Sequence, residues 1–117
     1  MKEEFDEAVK RATAAHAADR CSNPYCRALT SGAHNDRRQS LNIGLAVHIT
    51  AVWPSGRRYE PALSDQERRD HGNAIWLCQT CVRMVDNDVD RYPAALLRSW
   101  KAKAQTSREA QTLKHGA

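Results

Sequence analysis

The sequence NAIWLCQTCVRMVD, residues 73–86, joins a short apolar run to a closely spaced pair of cysteines. The run covers residues 74–77, and a second cysteine pair lies upstream in the sequence CSNPYC. The four cysteines are Cys21 and Cys26 in the first pair and Cys78 and Cys81 in the second. A short spacing lets one loop present two sulfurs to one ion, so two such pairs are typical of a tetrahedral four-cysteine zinc site. The sequence therefore predicts a structural Zn²⁺ ion that holds the fold together.

The N-terminal sequence indicates the compartment in which these thiols would lie. Residues 1–20 are charged and lack the apolar central region of a signal peptide. No apolar run approaches the ~20 residues that a helix needs to span a bilayer. We therefore expect a cytoplasmic protein that does not bind membranes. In the cytoplasm close thiol pairs are more often metal ligands than disulfides, and disulfides remain the alternative for these cysteines.

Length and composition predict one domain with a thin core. The 117 residues include one Phe, three Trp and three Tyr, so few large side chains are available to fill an interior. Zinc binding contributes on the order of 10 kcal/mol or more to the folding of small metal-binding domains at neutral pH. A bound ion would therefore compensate for the small apolar core.

Basic residues exceed acidic residues by 18 to 14, and 13 of the 18 are arginines. Such a mild excess is by itself a weak signal for a polyanionic partner. Three arginine pairs nevertheless lie between the two cysteine pairs: Arg37 with Arg38, Arg57 with Arg58, and Arg68 with Arg69. The planar guanidinium group can donate two hydrogen bonds to one phosphate. The arginine pairs therefore form either solvated surfaces or a phosphate-binding rim.

Apolar residues recur at helical spacing near both ends of the chain. Residues 2–18 and residues 93–112 are therefore predicted to be helices, and the second starts at Pro93. The apolar stripe of the first helix consists of Phe5, Ala8, Val9, Ala12 and Ala15, and that of the second consists of Leu96, Leu97, Trp100 and Ala104. The N-terminal helix either packs on the core or docks on a partner as an arm.

The middle of the chain contains a predicted strand over residues 43–52. Four apolar side chains alternate there, namely Ile43, Leu45, Val47 and Ile49. The alternation places His48 with Thr50 on the opposite face of the strand. Solvent and substrate can reach an imidazole on such a polar face.

Two further segments flank this strand. The polar stretch over residues 27–41 is predicted to be irregular, and it contains His34 as a further candidate imidazole. After the strand, Ser64 and Glu67 form a capping box, which predicts a short helix over residues 65–71 that ends at Gly72.

The order of three features resembles the HNH endonuclease family. In that family a His followed by Ile ends the first strand of a ββα-metal core, an Asn lies shortly before the second CxxC pair, and a further His follows that pair. The counterparts here are His48 with Ile49, then Asn73, and then Val82 and Asp86 after Cys81. The similarity covers roughly residues 20–100, and its order and spacing are more specific than any one fragment. The sequence NAIWLCQTC, followed by VDND, is similar to a bacterial HNH-like branch.

The resemblance implies an α+β fold and one domain over residues 1–117. The core would be a small zinc-stabilised ββα-metal domain, treble-clef-like, over residues 20–92. Helices over residues 2–18 and 93–112 would flank this core.

The resemblance also implies a metal-dependent endonuclease that hydrolyses phosphodiester bonds in DNA. His48 would be the general base, Asn73 would orient His48 or its loop, and Asp86 would hold a catalytic Mg²⁺ or Mn²⁺ ion. The residues expected to contact the nucleic acid are Arg57, Arg58, Tyr59, Arg68 and Arg69.

Two departures from the family pattern favour an alternative function. Val47 stands where the family usually has a metal ligand before the catalytic His, and Val82 replaces the His after the second CxxC pair. Aliphatic side chains cannot coordinate a divalent ion. The alternative is therefore a catalytically degenerate, zinc-stabilised module that binds nucleic acid or a protein partner. A third hypothesis is a structural protein that binds a partner through its terminal helices.

Overall fold

The computed structural model describes residues 4–33, 36 and 40–115, and it contains helices and two short antiparallel sheets. Within these residues the elements are, in order, α1 (Glu7–His16), β1 (Ser31–Ala33), β2 (Ser40–Asn42), β3 (Gly44–His48), α2 (Asp65–Arg69), β4 (Ala74–Cys78), α3 (Gln79–Asn87) and α4 (Ala94–His115). A 3₁₀ turn, His71–Asn73, leads from α2 into β4. The predicted α+β class is confirmed as a small fold that combines helices, a two-stranded sheet and a four-cysteine cluster.

The sheet formed by β3 and β4 is the centre of the molecule. The strands are antiparallel, with Gly44 opposite Cys78 and His48 opposite Ala74. Every residue of β4 is buried, as the apolar run in the sequence predicts. Helix α3 begins directly after this strand, so that Cys78 ends β4 and Cys81 lies in the first turn of α3.

Side chains of β4 alternate between two apolar clusters on opposite faces of the sheet. Ile75 and Leu77 belong to the larger cluster, which also contains residues of α3 and α4. Trp76 belongs to the smaller cluster, which contains alanines of α1 and α4. The predicted apolar stripe of the C-terminal helix is confirmed, because its members are buried or packed against these clusters: Leu96, Leu97, Trp100 and Ala104.

Helix α1 is shorter than predicted at both ends, because residues 4–6 are not helical and the helix runs from Glu7 to His16 rather than over residues 2–18. The predicted apolar stripe is wrong in two of its members, since Ala8 and Ala15 are exposed. Ala18 and Asp19 adopt the left-handed conformation, with φ of 55° and 56°, and this reverses the chain. Thr30 holds the reversal in place by donating its backbone amide and its hydroxyl to the Asp19 carbonyl, at 2.8 Å and 2.7 Å. Because Ala14 packs against Trp76, α1 is part of the core rather than an arm.

The strand predicted over residues 43–52 ends at His48, and its two faces are not divided into core and solvent. Leu45 is exposed, whereas Ile49 is fully buried, although both belong to the predicted apolar face. The opposite face is covered by α1, against which Ala46 packs. A two-stranded sheet is too narrow for alternation to define its buried face, since the neighbouring helices decide what is covered.

The capping box at α2 is confirmed, but the end of the helix is not as predicted. The Ser64 hydroxyl accepts the Glu67 amide at 3.1 Å, and the Glu67 carboxylate accepts the Ser64 amide at 2.8 Å. The helix ends at Arg69, before Gly72, because the Asp70 side chain accepts the His71 amide and starts the 3₁₀ turn.

Strands β1 and β2 form a hairpin within and just beyond the stretch predicted to be irregular. They are antiparallel, with Gly32 opposite Leu41. The predicted candidates His34, Arg37 and Arg38 lie outside the described residues. None of the helices in the described part of the chain is long and apolar enough to cross a bilayer.

Gly44 provides a test of the packing between β3 and β4. Its φ is not positive, so a glycine is needed there for space rather than for conformation. A Cβ atom would collide with the indole of Trp76, which Thr30 holds through a 2.8 Å bond from Nε1 to Oγ1. We expect Gly44→Ala to lower the free energy of unfolding by about 1–3 kcal/mol, measured by urea denaturation. The control Gly72→Ala, whose Cβ meets nothing within 4 Å, should change it by less than about 1 kcal/mol. Equal losses in the two variants would contradict the packing argument.

Candidate metal centre and adjoining cleft

The four cysteine sulfurs meet in one cluster. All four Sγ atoms lie within 4.8 Å of one another, and those of Cys26 and Cys78 are 3.8 Å apart. A tetrahedral site with Zn–S bonds of about 2.3 Å has sulfurs separated by about 3.8 Å, so the spacing suits zinc. None of the four is in a disulfide, whose S–S bond is about 2.05 Å. The cluster could therefore hold a metal ion such as zinc. The alternative of disulfide bonds does not match the structure, because all four thiols are free.

A local network shapes the loop that carries the first cysteine pair. The Asn23 carbonyl accepts the Cys26 amide at 2.9 Å, and the Asn23 side-chain oxygen accepts the Tyr25 amide at 2.9 Å. The same side chain donates from Nδ2 to the Cys81 sulfur at 3.5 Å. Asn23 thus folds its own loop and connects it to the second cysteine pair.

Burial and hydrogen bonding shift the thiol pKa values in opposite directions. Burial raises the pKa of Cys21 and of Cys81. Burial also opposes the ionisation of Cys78, but hydrogen bonds from the Cys81 amide and from the neighbouring thiols outweigh it and lower the pKa of Cys78. Cys78 therefore ionises more readily than Cys21 or Cys81, and a metal ion must displace the protons of those two thiols.

A cleft lies next to the cluster, between β3, the loop over residues 51–58 and α3. Its volume is about 480 Å³. His48 lines it from the end of β3, and Asp86 lines it from the last turn of α3. Val47 and Val82, the residues at the family's usual ligand positions, line the same cleft. His48 and Asp86, the predicted base and carboxylate, are therefore both among the residues that line this cleft, together with Val47 and Val82.

The His48 ring is stacked on Phe5. The two ring centroids are 3.9 Å apart, with an angle of 18° between the ring planes. Phe5 is buried and precedes α1. The sequence predicted Phe5 only as part of a helical stripe, because no local pattern relates it to a histidine so far along the chain.

Asn73 positions the chain just after His48. Its side-chain oxygen accepts the amide and the hydroxyl of Thr50 at 3.0 Å and 3.1 Å. Its Nδ2 donates to the carbonyls of Thr50 and Arg68, both at 2.9 Å. Asn73 is buried and does not line the cleft, so it acts on the loop after His48 rather than on a ligand.

Arg57 and Arg58 attach the cleft loop to the end of α3. Arg57 donates from Nε to the Asp86 carbonyl at 2.9 Å. Arg58, with φ of 58°, donates to the carbonyls of Val85 at 2.7 Å and Tyr92 at 2.6 Å. Cations are favourable at a helix C-terminus, where carbonyls lack partners within the helix. Burial lowers the pKa of Arg58. Arg57 remains exposed at the cleft, whereas the Arg58 guanidinium is occupied by its hydrogen bonds to backbone carbonyls.

The third arginine pair lies outside the cleft. Arg68 is only 5% exposed, and its guanidinium donates to Asp65 at 3.1 Å, to the Tyr59 hydroxyl at 3.0 Å and to the Glu60 carbonyl at 2.9 Å. It also stacks over the Tyr59 ring at 4.5 Å. Of the residues predicted to contact nucleic acid, Arg68 is thus buried with its guanidinium bonded within the protein, and Tyr59 is half-buried against it. Arg69 is exposed, but it lines a separate depression that contains three aspartates.

The cleft has few groups that could hold a second metal ion. Among residues 4–33, 36 and 40–115, only the cysteine cluster brings together three or more metal-ligating side chains. Asp86 offers a carboxylate and His48 an imidazole, while Val47 and Val82 offer nothing. Mg²⁺ keeps several of its waters when bound to proteins, so one carboxylate suits it only as part of a mostly hydrated site.

Comparison with known proteins adds no further assignment. No protein-family model matches this sequence, and no curated protein matches it significantly. The resemblance to HNH endonucleases therefore rests on the sequence pattern formed by His48, Asn73 and the cysteine pairs.

Cys78→Ser tests the metal centre. We expect the variant to bind zinc much more weakly and to lose its cooperative thermal transition, because the ion compensates for a small core. In the wild type, zinc affinity should fall as the pH is lowered, since protons then compete with the ion for the thiolates. Zinc titrations over a pH series and thermal melts with and without chelator measure both effects. The control Thr80→Ser lies between Cys78 and Cys81 and should behave like the wild type. A cooperative melt in metal-free Cys78→Ser at the wild-type temperature would contradict the expectation.

Proposed function

We propose that the chain is an HNH-type endonuclease domain, stabilised by zinc, that hydrolyses phosphodiester bonds in DNA. The observation that supports this proposal is that His48 and Asp86 both belong to the lining of one cleft. The imidazole comes from the first strand of a β-β-α unit and the carboxylate from its helix. This is the arrangement expected of a ββα-metal core.

In this proposal the cysteine cluster binds structural zinc and aligns the catalytic elements. Cys78 ends β4, and Cys81 opens α3. Val82 and Asp86 lie one and five residues further along the same helix, so a displacement of its start would move the carboxylate. Zinc thereby acts on activity only through the placement of α3.

Phosphodiester hydrolysis needs a base for the attacking water and positive charge near the phosphate oxygens. His48 accepts the proton of the attacking water as the general base. Asp86 would hold Mg²⁺ or Mn²⁺, which supplies charge to the non-bridging and leaving oxygens when bound. Phe5 restricts the plane of the His48 ring, and Asn73 secures the loop that follows it.

Arg57 supplies the contact with the DNA backbone. It is the exposed member of its pair, it lines the cleft, and the chain carries a formal charge of +4. A cation at this position can bind phosphate while its Nε remains bonded to the Asp86 carbonyl.

The second candidate is a degenerate module of the same fold that binds nucleic acid without cutting it. Val47 and Val82 favour this candidate, because both line the cleft and neither can coordinate a metal ion. The third hypothesis, a partner-binding protein that uses its terminal helices, is less favoured. The apolar residues of α1 and α4 are packed against the sheet, as Ala14, Leu97 and Trp100 illustrate.

His48→Ala tests the catalytic assignment. In nicking assays of supercoiled plasmid with Mg²⁺ or Mn²⁺, we expect the wild type to cut and the variant to lose about 10²–10⁴-fold in rate. The control His16→Ala replaces an exposed histidine outside the cleft and should retain activity. Full activity in His48→Ala would refute the role of His48 as the base. Failure of the wild type to cut any form of DNA with either ion would favour the binding module.

Arg57→Gln tests the phosphate contact. We expect weaker DNA binding and a decrease of about 1 in the magnitude of the slope of log affinity against log salt concentration. The matched control Arg69→Gln removes an exposed arginine from the other depression and should leave the slope unchanged. Fluorescence anisotropy over a salt series measures both slopes. Equal slopes in Arg57→Gln and the wild type would show that Arg57 contacts no phosphate.

A further inference from the structure

Trp53 differs from the other tryptophans of the chain. It is 54% exposed, whereas Trp76 and Trp100 are 4% and 3% exposed. It also lines the cleft that contains His48 and Asp86. A single exposed apolar side chain is common on protein surfaces. Trp53 is both exposed and located at the proposed active site, and this combination favours a role in ligand binding.

The walls around Trp53 are mainly apolar. Leu45, Val52 and Val82 line the same cleft, and Leu45 is itself exposed. Phosphate groups are bound by cations and hydrogen-bond donors, and aliphatic walls offer them nothing. A planar, weakly polar group such as a nucleobase can bury its face against these side chains and against an indole.

The loop holds Trp53 in a defined place. The Gly56 amide donates to the Trp53 carbonyl at 2.9 Å, which closes a tight turn around the tryptophan. The Ala51 amide donates to the Arg57 carbonyl at 2.9 Å, which ties the two ends of the loop together. Arg57 and Arg58 then attach the loop to α3. The indole is thus presented from an anchored loop, which limits the entropy lost when a ligand stacks on it.

The loop over residues 51–58 carries both an aromatic ring and a positively charged side chain. Trp53 and Arg57 both line the cleft, so a base on the indole and a phosphate on the guanidinium can belong to one strand. In a duplex the bases are stacked on each other and their faces are not accessible to a protein ring. In a single strand every base offers its face, and the combination of aromatic and basic groups is typical of single-strand binding.

From these observations, and on the basis of the proposed function, we infer that Trp53 is a stacking platform for a nucleobase. The preferred ligand of the cleft is then single-stranded DNA, or DNA with an unpaired segment, rather than a continuous duplex. Trp53 determines this preference, while His48 and Asp86 remain the proposed catalytic groups.

Tryptophan fluorescence of the zinc-loaded full chain tests the inference. Oligothymidylate should quench the emission, because Trp53 is exposed whereas Trp76 and Trp100 are buried. Trp53→Ala should abolish this quenching and weaken the affinity about 5- to 100-fold, and Trp53→Phe should retain most of the affinity. The control Tyr25→Ala removes an exposed aromatic ring from the cysteine loop and should bind like the wild type. A duplex of matched length should bind more weakly than the single strand.

Two results would overturn the inference: undiminished binding of oligothymidylate by folded Trp53→Ala, or equal affinity of the wild type for single strand and duplex. Binding of an apolar peptide in place of DNA would also overturn it.

The stacking role of Trp53 and the proposed endonuclease function can be refuted independently of each other. Quenching without plasmid cutting would refute the endonuclease and retain the stacking site. Equal cutting by the wild type and Trp53→Ala on single-stranded and duplex DNA would refute the stacking role and retain the endonuclease.

Discussion

The cluster of four sulfurs joins the two parts of the chain that carry the candidate site. One pair comes from the loop after α1, and the other spans the junction of β4 and α3. The sheet between them has two strands, and the interior of the molecule contains few large side chains. With few large side chains in the interior, the thiol cluster and the packing of Val85 in the apolar core together set the position of α3. The side chains that α3 presents to the cleft, Val82 and Asp86, follow from that position.

Polar side chains around the cleft hold its walls in place. Asn73 bonds to Thr50 on the His48 side, and Arg57 and Arg58 bond to the last carbonyls of α3 on the Asp86 side. Each of these bonds satisfies a backbone group that would otherwise lack a partner. Residues that resemble catalytic or phosphate-binding groups in the sequence therefore also act as scaffolding. The distinction matters for mutagenesis, because a loss of activity in such a variant can arise from a displaced loop.

The cleft combines chemical groups of different kinds. His48 carries an imidazole, Asp86 a carboxylate, Arg57 a cation and Trp53 an aromatic ring, and all four residues line the cleft. An HNH-type nuclease and a degenerate binding module would both use the cation and the aromatic ring. They would differ in whether the imidazole and the carboxylate take part in catalysis. In the proposed function, affinity for nucleic acid and the ability to cut it would therefore be separable properties of one site.

The sequence by itself determined the features that depend on neighbouring residues. The cysteine pairs, the capping box at Ser64, the buried run of β4 and the stripe around Leu97 were all predictable, because spacing along a short segment specifies each of them. Only the tertiary structure decided which polar and aromatic side chains are available to a ligand. The burial of Arg68, the stacking of Phe5 on His48 and the position of Trp53 in the cleft all depend on contacts between distant segments. Local patterns carry no information about such contacts, since the helices that cover a two-stranded sheet decide which of its faces is exposed.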